Sequence, residues 1–317
     1  MYAKIAMGGS SYDVIIPSDY MIERMIQENL LQKVNWENIP NVANIDPRFM
    51  NESYDPNSEY SVPYTWGTVG VIYNKKYVSE SDIGSWDLLW NEKYSGKILM
   101  FDNPRDAFAI AELLLGIDIN SEDQDELRSA TYKLIEQKPL VQAYVMDQIY
   151  DKMERGEAWI APYYAGDYLM MVGENEDLRF CFPEEGFNFF IDALCIPTCA
   201  TNKEGAEAYI NFLCSPEVNG ENLDYLGYST PESAAKEYMD PETAASDIAY
   251  PSEETLSRCE AFLYLDQETT HLMDSLWLEV KTEGETDYTP IIGISATVLL
   301  AAVYLLSLIH ISEPTRR

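Results

Sequence analysis

Short apolar runs that end in turns alternate with helical stripes along this chain, and this alternation constrains its fold more than any other feature. Residues 11–18 form a β-branched run that closes with Pro17 and Ser18, which is typical of a buried strand that ends in a loop. Ser18 is a suitable N-cap for a helix over 19–32, where apolar residues recur at helical spacing. Because ligands of open α/β sheets bind where strands end, this first turn is a candidate binding position.

The same order of strand and helix continues over most of the chain. Further strands are predicted at 60–73, 96–101, 158–162, 178–182 and 189–196. Further helices are predicted at 106–116, 123–137, 146–154 and 203–213. Residues 85–90 are predicted to form the start of another helix, and two more are predicted to start at residues 166 and 231. This repeated alternation predicts the α/β class. With 317 residues the chain is long enough for roughly two domains.

Acidic residues greatly outnumber basic residues. There are 54 Asp and Glu against 21 Lys and Arg, so the formal net charge is −33. This balance predicts no nucleic-acid partner, because a phosphate backbone requires a basic surface. A negative field of this size raises the local concentration of cations, which favours a cationic small molecule as ligand. The alternative is that the excess acid serves solubility alone.

Residue types that commonly carry catalysis or bind metals are sparse. The five cysteines form no Cys-x-x-Cys pair and the histidines are His271 and His310, so no metal site or disulfide framework is predicted. No nucleophile elbow, phosphate-binding loop or dinucleotide fingerprint occurs. Glycoside hydrolysis uses two carboxylates, and Asp102 and Asp106 are one such pair of acids, but acid pairs are common in so acidic a chain. The sequence therefore predicts a binding protein without enzymatic activity or a cofactor.

The C-terminal region contains an uncharged apolar segment. Residues 291–309 lack Asp, Glu, Lys and Arg and are long enough to cross a bilayer. They follow an acidic linker at 282–290, so the segment is typical of a membrane anchor, with a buried helix as the alternative. Residues 307–317 resemble translated sequencing-adapter DNA, which predicts a non-native tail. The start has no secretory signal, which indicates a cytoplasmic protein or a missing start.

Three groups of motifs resemble a known family. They are Tyr-Ser-Val-Pro-Tyr-Thr-Trp-Gly at 60–67, Asn-Lys-Glu-Gly at 202–205 with Ile-Asn-Phe-Leu at 210–213, and Leu-Gly-Tyr-Ser-Thr-Pro at 226–231. Their order and spacing resemble the spermidine/putrescine-binding proteins of ABC importers. The resemblance covers about residues 1–280. It implies a two-lobed type II periplasmic-binding-protein fold with an interlobe cleft and crossings near 67–72 and 190–196.

The resemblance also implies domain bounds. Lobe 1 comprises 1–68 and 193–238, and lobe 2 comprises 69–192 and 239–281. Members of the family begin upstream of this Met1, with a leader and a first strand that ends in a ligand-contacting segment. The chain therefore resembles an N-terminally truncated member whose lobe 1 lacks its first strand.

A polyamine has ammonium groups separated by methylene chains. Its receptor needs carboxylates or carbonyls for the charges and aromatic faces for the chain between them. The resemblance implies a ligand-binding set that supplies both kinds of group. The set comprises Ser18, Tyr20, Asn103, Asp106, Tyr164, Phe190, Asp192, Tyr228 and Phe262.

Some of these positions depart from the family pattern or have another explanation. Asn103 lies where relatives can carry an acid and Phe262 where they offer a polar amide, so charge and polarity are lower here. Taken alone, Phe190 is typical of core packing, as is Tyr164, and Asp106 is typical of a first helical turn. Asp192 lies in an apolar run and shares a strand face with Phe190, so it needs a partner or a neutral state.

The implied function is that of a monomeric receptor outside the cytoplasmic membrane. It captures putrescine or spermidine and delivers it to an ABC permease, whose ATPase supplies the energy. The alternatives are the same fold with a metal, thiamine or sugar as ligand, or a membrane-tethered sensor. The neighbouring tyrosines Tyr163 and Tyr164 leave an iron site open. Trp66 is either hinge packing, which is favoured, or a wall of the site.

Overall fold

The computed structural model describes residues 1–9 and 11–284. In these residues the α-helices are α1 (Tyr2–Ala6), α2 (Asp19–Gln27), α3 (Pro104–Leu115), α4 (Gln124–Gln137), α5 (Ile149–Glu154), α6 (Ala165–Glu174), α7 (Lys203–Leu213), α8 (Pro216–Leu226), α9 (Pro241–Ala244), α10 (Glu253–Leu256) and α11 (Gln267–Thr282). The strands are β1 (Leu31–Gln32), β2 (Ser61–Asn74), β3 (Ile98–Phe101), β4 (Val141–Val145), β5 (Ile160–Tyr164), β6 (Leu178–Cys181), β7 (Phe187–Pro197) and β8 (Cys259–Ala261). Short 3-10 helices occupy Trp36–Asn38, Pro40–Asn44, Pro47–Phe49, Glu80–Asp82, Trp86–Trp90, Glu92–Tyr94, Lys138–Leu140 and Ser233–Tyr238.

The strands form a mixed sheet with the order β1-β7-β2-β5-β3-β4, and β6 pairs with β2 and β8 with β7. Strand β2 runs antiparallel to β5, β6 and β7. Strand β3 runs parallel to β4 and β5. These parallel pairs need crossover connections, and α3, α4 and α5 lie in them. The α/β class predicted from the sequence is therefore confirmed.

The two long strands β2 and β7 each pair with different partners along their length. The first part of β2, 61–68, pairs with β7, whereas the second part, 69–74, pairs with β5 and β6. Strand β7 lies beside β8 at its start, then beside β2, and finally beside β1. Gly67 is opposite Phe190 where β2 and β7 pair. The interlobe crossings predicted near 67–72 and 190–196 fall within β2 and β7, respectively.

Buried apolar residues form two clusters. One is built from residues within 69–187 and 262–280 and includes Phe108. The other is built from residues within 5–66 and 191–239 and includes Ile22. Each cluster therefore combines segments that are far apart in the sequence, so neither can be completed by one continuous stretch of chain.

Most predicted helices and strands are present, with shifted bounds. Residues 11–18 are an exception, because they form isolated bridges, Ile15 to Cys195 and Ser18 to Asp192, in place of a regular strand. The helix predicted to reach residue 32 ends at Gln27, because the chain turns at Asn29, whose φ of 57° is incompatible with a continuing helix. Strands β4 and β8 and helices α8 and α11 were not predicted from the sequence.

The predicted C-terminal features lie almost wholly beyond the described part of the chain. Helix α11 continues to Thr282, so the linker predicted at 282–290 begins on a helical residue. The predicted anchor at 291–309 and the predicted tail at 307–317 lie outside the described residues. Among residues 1–9 and 11–284, no helix is both long enough and apolar enough for a membrane crossing.

Candidate functional site

One cavity, with a volume of about 250 Å³, brings together residues from the starts of α2 and α3, the end of β5, strand β7 and the turns after α8 and β8. All nine residues predicted from the sequence line this cavity, and Asn188 lines it as well. The lining comprises Ser18, Tyr20, Asn103, Asp106, Tyr164, Asn188, Phe190, Asp192, Tyr228 and Phe262. We call this cavity the first pocket.

The turn before α2 is attached to β7 through Ser18 and Asp19. Ser18 occupies the N-cap position, but its hydroxyl makes no capping bond and donates to Asp192 Oδ1 at 2.5 Å. The carboxylate of Asp19 accepts from the backbone N–H of Tyr20 at 2.8 Å and from that of Ile191 at 3.2 Å. The predicted cap is therefore correct in position, but its hydroxyl serves the contact with Asp192.

The start of α3 presents a second carboxylate. Asn103 caps this helix, because its side chain accepts from the backbone N–H of Arg105 at 3.0 Å, and Pro104 occupies the first helical position. Asp106 follows in the first turn and is only 5% exposed. The hydroxyl of Tyr164, at the end of β5, donates to Asp106 Oδ2 at 3.1 Å. This bond fixes the carboxylate against the aromatic wall of the pocket.

Three aromatic rings form that wall. Tyr164 and Phe190 meet edge to face, with centroids 5.4 Å apart and an interplanar angle of 76°. Phe190 and Tyr228 are 6.2 Å apart at 63°. Phe190 lies directly over Gly67 of β2, where an added Cβ would be 2.6 Å from Phe190 Cζ. Only glycine at this position lets the ring approach the strand so closely.

Tyr228 is held from behind by Asp167, which does not line the pocket. Both oxygens of this carboxylate accept hydrogen bonds, Oδ2 from the Tyr228 hydroxyl and Oδ1 from the Tyr150 hydroxyl at 2.6 Å. The Tyr228 ring also packs on Gly166, where an added Cβ would be 2.7 Å from the ring. Asp167 lies in the first turn of α6 and was not among the residues predicted from the sequence.

The far end of the pocket is aromatic, with a buried cation behind it. Tyr20 and Phe262 meet edge to face at 5.9 Å. The guanidinium carbon of Arg105 lies 4.5 Å from the Phe262 ring centroid. Arg105 donates to Asn120 Oδ1 at 2.7 Å and to the carbonyl of Leu263 at 3.2 Å, so its hydrogen bonds are directed away from the pocket. Arg105 does not line the cavity, but its charge acts on Asp106 and favours the ionised form of that carboxyl group.

Burial dominates the electrostatics of the acids. It raises the pKa of Asp106 to about 6, against the lowering effect of the hydrogen bond from Tyr164. It also raises the pKa of Asp19 to about 7, although two backbone N–H groups favour the ionised form. Burial raises the pKa of Asp192 as well, against the hydrogen bond from Ser18. Each carboxyl group would ionise more readily beside a cation.

Asn188 lines the pocket but was not predicted from the sequence. Its Nδ2 donates to the carbonyls of Phe189 at 3.1 Å and Glu260 at 3.2 Å. Both amide hydrogens are used in this way, and Oδ1 is the remaining polar atom of the side chain. Alternation along β7 was the available signal, because residues two apart on a strand share a face and Phe190 and Asp192 were already in the set.

The sequence alone did not decide whether Trp66 and Tyr163 line the binding site. Trp66 does not line the first pocket but packs on Phe189, with ring centroids 5.6 Å apart. Tyr163 stacks on Phe101 at 5.2 Å, so Tyr164 alone of the tyrosine pair reaches the pocket. In the described part of the chain no three His, Cys, Asp or Glu side chains gather in a way that could hold a metal ion.

Comparison with known proteins gives consistent results. Residues 10–250 match the family described as bacterial extracellular solute-binding protein. The chain is 34% identical over 261 residues to the spermidine/putrescine-binding periplasmic protein of Salmonella typhimurium, covering 82% of this chain and 75% of that protein. It is 28% identical over 298 residues to the putrescine-binding periplasmic protein SpuD of Pseudomonas aeruginosa, covering 88% and 81%.

A solved structure shares the fold. The spermidine/putrescine ABC transporter substrate-binding protein of Streptococcus pneumoniae superimposes with a TM-score of 0.78 at 36% identity, covering 89% of this chain and 87% of that one. The family match extends over most of the chain, and the described residues form the α/β fold with a pocket of acids and rings. The chain therefore belongs to the bacterial extracellular solute-binding proteins, in the group of the spermidine/putrescine-binding members.

Proposed function

We propose that this chain is the extracytoplasmic solute-binding component of an ABC importer and that it captures a polyamine, putrescine or spermidine, in the first pocket. The ligand-binding residues in this proposal are the nine predicted from the sequence together with Asn188. Relatives named for binding spermidine and putrescine match most of the chain, which supports the choice of ligand. The chain acts as a receptor and catalyses no reaction.

The observation that supports this proposal most directly is the combination of acids and rings in a pocket whose described lining contains no basic side chain. Asp106 and Asp192 offer carboxylate oxygens to ammonium groups, and charge-assisted hydrogen bonds of this kind are strong. The rings of Tyr164, Phe190 and Tyr228 offer apolar faces to methylene groups. An ammonium placed over such a ring gains roughly 0.5–2 kcal/mol.

Ligand capture is coupled to ionisation of these buried acids. Burial raises the pKa of Asp106 to about 6 and also raises that of Asp192. An ammonium beside either carboxylate favours the ionised form of that carboxylate. The carboxyl group therefore releases its proton when the ion pair with the amine forms. Removal of one partner from a buried ion pair costs about 3–5 kcal/mol, so a neutral analogue of the amine is rejected.

The proposal includes closure of two lobes around the ligand. The proposed lobes are 1–68 with 193–238 and 69–192 with 239–281. Two separate hydrophobic clusters with similar sequence limits support this division. The pocket takes Ser18 from the first set of segments and Asp106 from the second. Closure about β2 and β7 buries the amine, and the closed form docks on a permease whose ATPase drives uptake.

The proposal also gives the chain a location. The relatives are named as periplasmic proteins, which supports a place at the outer face of the cytoplasmic membrane. The uncharged segment at 291–309 supports a membrane anchor, because its length matches the apolar part of a bilayer. In this proposal the chain acts as a monomer, and each monomer serves one permease.

Calorimetric titration of putrescine and spermidine into the full chain tests the proposal. We expect saturable binding in the micromolar range or tighter. Asp192→Asn preserves the shape of the side chain but removes its charge, and we expect it to weaken binding about a hundredfold. Asp151→Asn is the matched control, because Asp151 is exposed, lies outside the first pocket and pairs with Arg155, at the end of α5, at 2.8 Å. It should bind as the unmodified chain does.

Two results would contradict the proposal. One is the lack of saturable amine binding by a chain that melts cooperatively, which would return metals, thiamine and sugars to consideration. The other is an equal effect of Asp192→Asn and Asp151→Asn, which would show that overall charge and not the pocket determines affinity.

A further inference from the structure

A second cavity, with a volume of about 300 Å³, lies on the opposite face of the paired strands β2 and β7. Trp66 and Phe189 line it, whereas Phe190 lines the first pocket over Gly67. Successive residues of a strand point to opposite faces, which explains why neighbours in the sequence serve different cavities. We call this cavity the second pocket, and it shares no lining residue with the first.

Aromatic rings form the walls of the second pocket. The Trp66 ring lies 5.6 Å from that of Phe49, 5.6 Å from that of Phe189 and 5.9 Å from that of Tyr250. Trp66 Nε1 donates to the carbonyl of Thr230 at 3.1 Å, and the backbone N–H of Thr230 donates to the Tyr250 hydroxyl at 3.1 Å. These bonds hold the rings in place, so the cavity beside them is preformed for a flat apolar group.

Two cations lie at the second pocket, Arg48 and Lys236, and its described lining includes no acidic residue. Arg48 pairs with Asp46 at 3.1 Å. Lys236 Nζ lies 3.2 Å from the Tyr250 ring centroid and takes part in none of the ion pairs between described residues. Burial, and then the charge of Arg48, lower the pKa of Lys236. An anion beside this ammonium would offset both effects.

This arrangement is the reverse of the first pocket. The first pocket has two carboxylates and no basic side chain among its described lining, whereas the second has two cations and no acid. Asp46, the partner of Arg48, does not line the second pocket, and Lys236 has no acidic partner among the ion pairs between described residues. We therefore expect the ligand of the second pocket to be an anion.

We propose that the second pocket binds a small carboxylate that bears an aromatic ring. The ring packs against Trp66 and Phe189, and the carboxylate accepts hydrogen bonds from Lys236 and Arg48. A molecule with one ring and one carboxylate suits a cavity of about 300 Å³, which is at the small end of ligand sites. This site does not depend on the identity of the ligand in the first pocket.

Fluorine NMR with 4-fluorophenylacetate as the probe tests this site in the full chain. The matched neutral probe is 4-fluorophenylacetamide, which has the same ring without the charge. At about 0.15 M salt distant carboxylates are screened beyond about 8 Å, so the measurement reports the local charges. We expect a saturable shift for the acid, binding of the amide at least about tenfold weaker, and no displacement of the acid by putrescine.

Lys236→Gln assigns the binding to the second pocket. We expect it to weaken 4-fluorophenylacetate at least about tenfold and to leave putrescine binding unchanged. Lys133→Gln is the matched control, because Lys133 also lies over an indole ring, 5.3 Å from the centroid of Trp90, but outside both pockets. It removes the same charge and should leave binding of the probe unaltered.

Three results would overturn the proposal. They are equal affinity for the acid and the amide, equal affinity of Lys236→Gln and Lys133→Gln for the acid, and displacement of the acid by putrescine. The lack of a saturable shift up to about 10 mM acid, in a chain that melts cooperatively, would overturn it as well. Apart from displacement by putrescine, these results leave polyamine capture untouched, because amine binding is measured separately.

Discussion

Asn103 combines two roles at the start of α3. It caps the helix through the N–H of Arg105 at 3.0 Å, and it lines the first pocket in the same turn as Asp106. Asp caps helices as well as Asn does, so Asn103→Asp adds a carboxylate without loss of the cap. We expect this change to raise the affinity for spermidine about five- to tenfold, and that for putrescine less, because spermidine has a third ammonium to pair.

Calorimetric titration of both amines measures this change in preference. Asn103→Ser is the control, because serine retains a capping oxygen but carries no charge. It should leave the ratio of the two affinities close to that of the unmodified chain. An equal gain for putrescine and spermidine in Asn103→Asp would show that the new charge does not reach the third amine.

The raised pKa of Asp106 makes amine binding dependent on pH. Burial raises this pKa to about 6, so the free carboxyl group is mostly protonated at pH 5 and mostly ionised at pH 7.5. The ammonium pairs with the ionised form, so affinity falls as the pH falls through 6. We expect a loss of about tenfold between about pH 7.5 and pH 5, where the carboxyl group must first release its proton.

Titrations in buffers of different ionisation enthalpy check this dependence, because they count the protons released on binding. Release should be largest near pH 6. Asp106→Asn should bind more weakly but with a flatter pH profile. Burial also raises the pKa of Asp192, which lines the pocket, and raises that of Asp19 to about 7, so a weaker dependence of the same sign remains in that variant. An unchanged profile in Asp106→Asn would assign the titration to other acids.

The pairing of β2 with β7 sets the position of the aromatic wall, and Gly67 tests it. An added Cβ here would be 2.6 Å from Phe190 Cζ, so Gly67→Ala must displace the ring from the pocket. We expect a loss of about 1–3 kcal/mol in the free energy of unfolding and at least about tenfold weaker amine binding. Thermal melting and calorimetry measure the two effects.

Gly173→Ala is the control for this substitution. Gly173 lies in α6, and an added Cβ there has no atom within 4 Å. Because alanine favours a helix over glycine, we expect this variant to gain about 0.5–1 kcal/mol in stability and to bind amine normally. If Gly67→Ala binds amine as well as Gly173→Ala does, the position of Phe190 is not critical for the ligand.

Elements with a strong local pattern were predicted well from the sequence. The helix predicted at 203–213 coincides with α7, because Asn202 caps it and its apolar stripe packs on the core. Helix α8 was missed, since few of its residues are buried and Gly220 lies within it. Residues 11–18 were predicted as a strand, but Ile15 pairs with Cys195, far along the chain, and local pattern cannot supply that register.

The composition of the first pocket was predictable only in part, because some of its contacts join residues that are far apart in the sequence. Family motifs indicated nine of its residues, whereas local pattern alone makes Phe190 a core residue. The support that Asp167 gives to Tyr228 joins residues 61 apart in sequence, so no local pattern shows it. The role of Asn188 depends on the carbonyl of Glu260 on the neighbouring strand β8. Such contacts become visible only once the strands are paired.

Across the whole molecule, charge and pocket chemistry act at different distances. The chain has 54 acidic and 21 basic residues, so at least 33 acids remain in excess even if every cation pairs with one acid. This excess attracts cations toward the chain over tens of ångströms at low salt, whereas the acids of the first pocket act only on contact. Association and dissociation of the amine should therefore respond differently to salt.

Stopped-flow fluorescence with putrescine and spermidine at different salt concentrations separates these contributions. Between about 10 mM and about 1 M salt the screening length falls from about 30 Å to about 3 Å. We expect the association rate of spermidine to fall at least about tenfold while its dissociation rate changes little, because the bound amine is shielded by the pocket. Putrescine, with one charge fewer, should lose less. If salt acts mainly on dissociation, or equally on both amines, the excess acid serves solubility and does not steer the ligand.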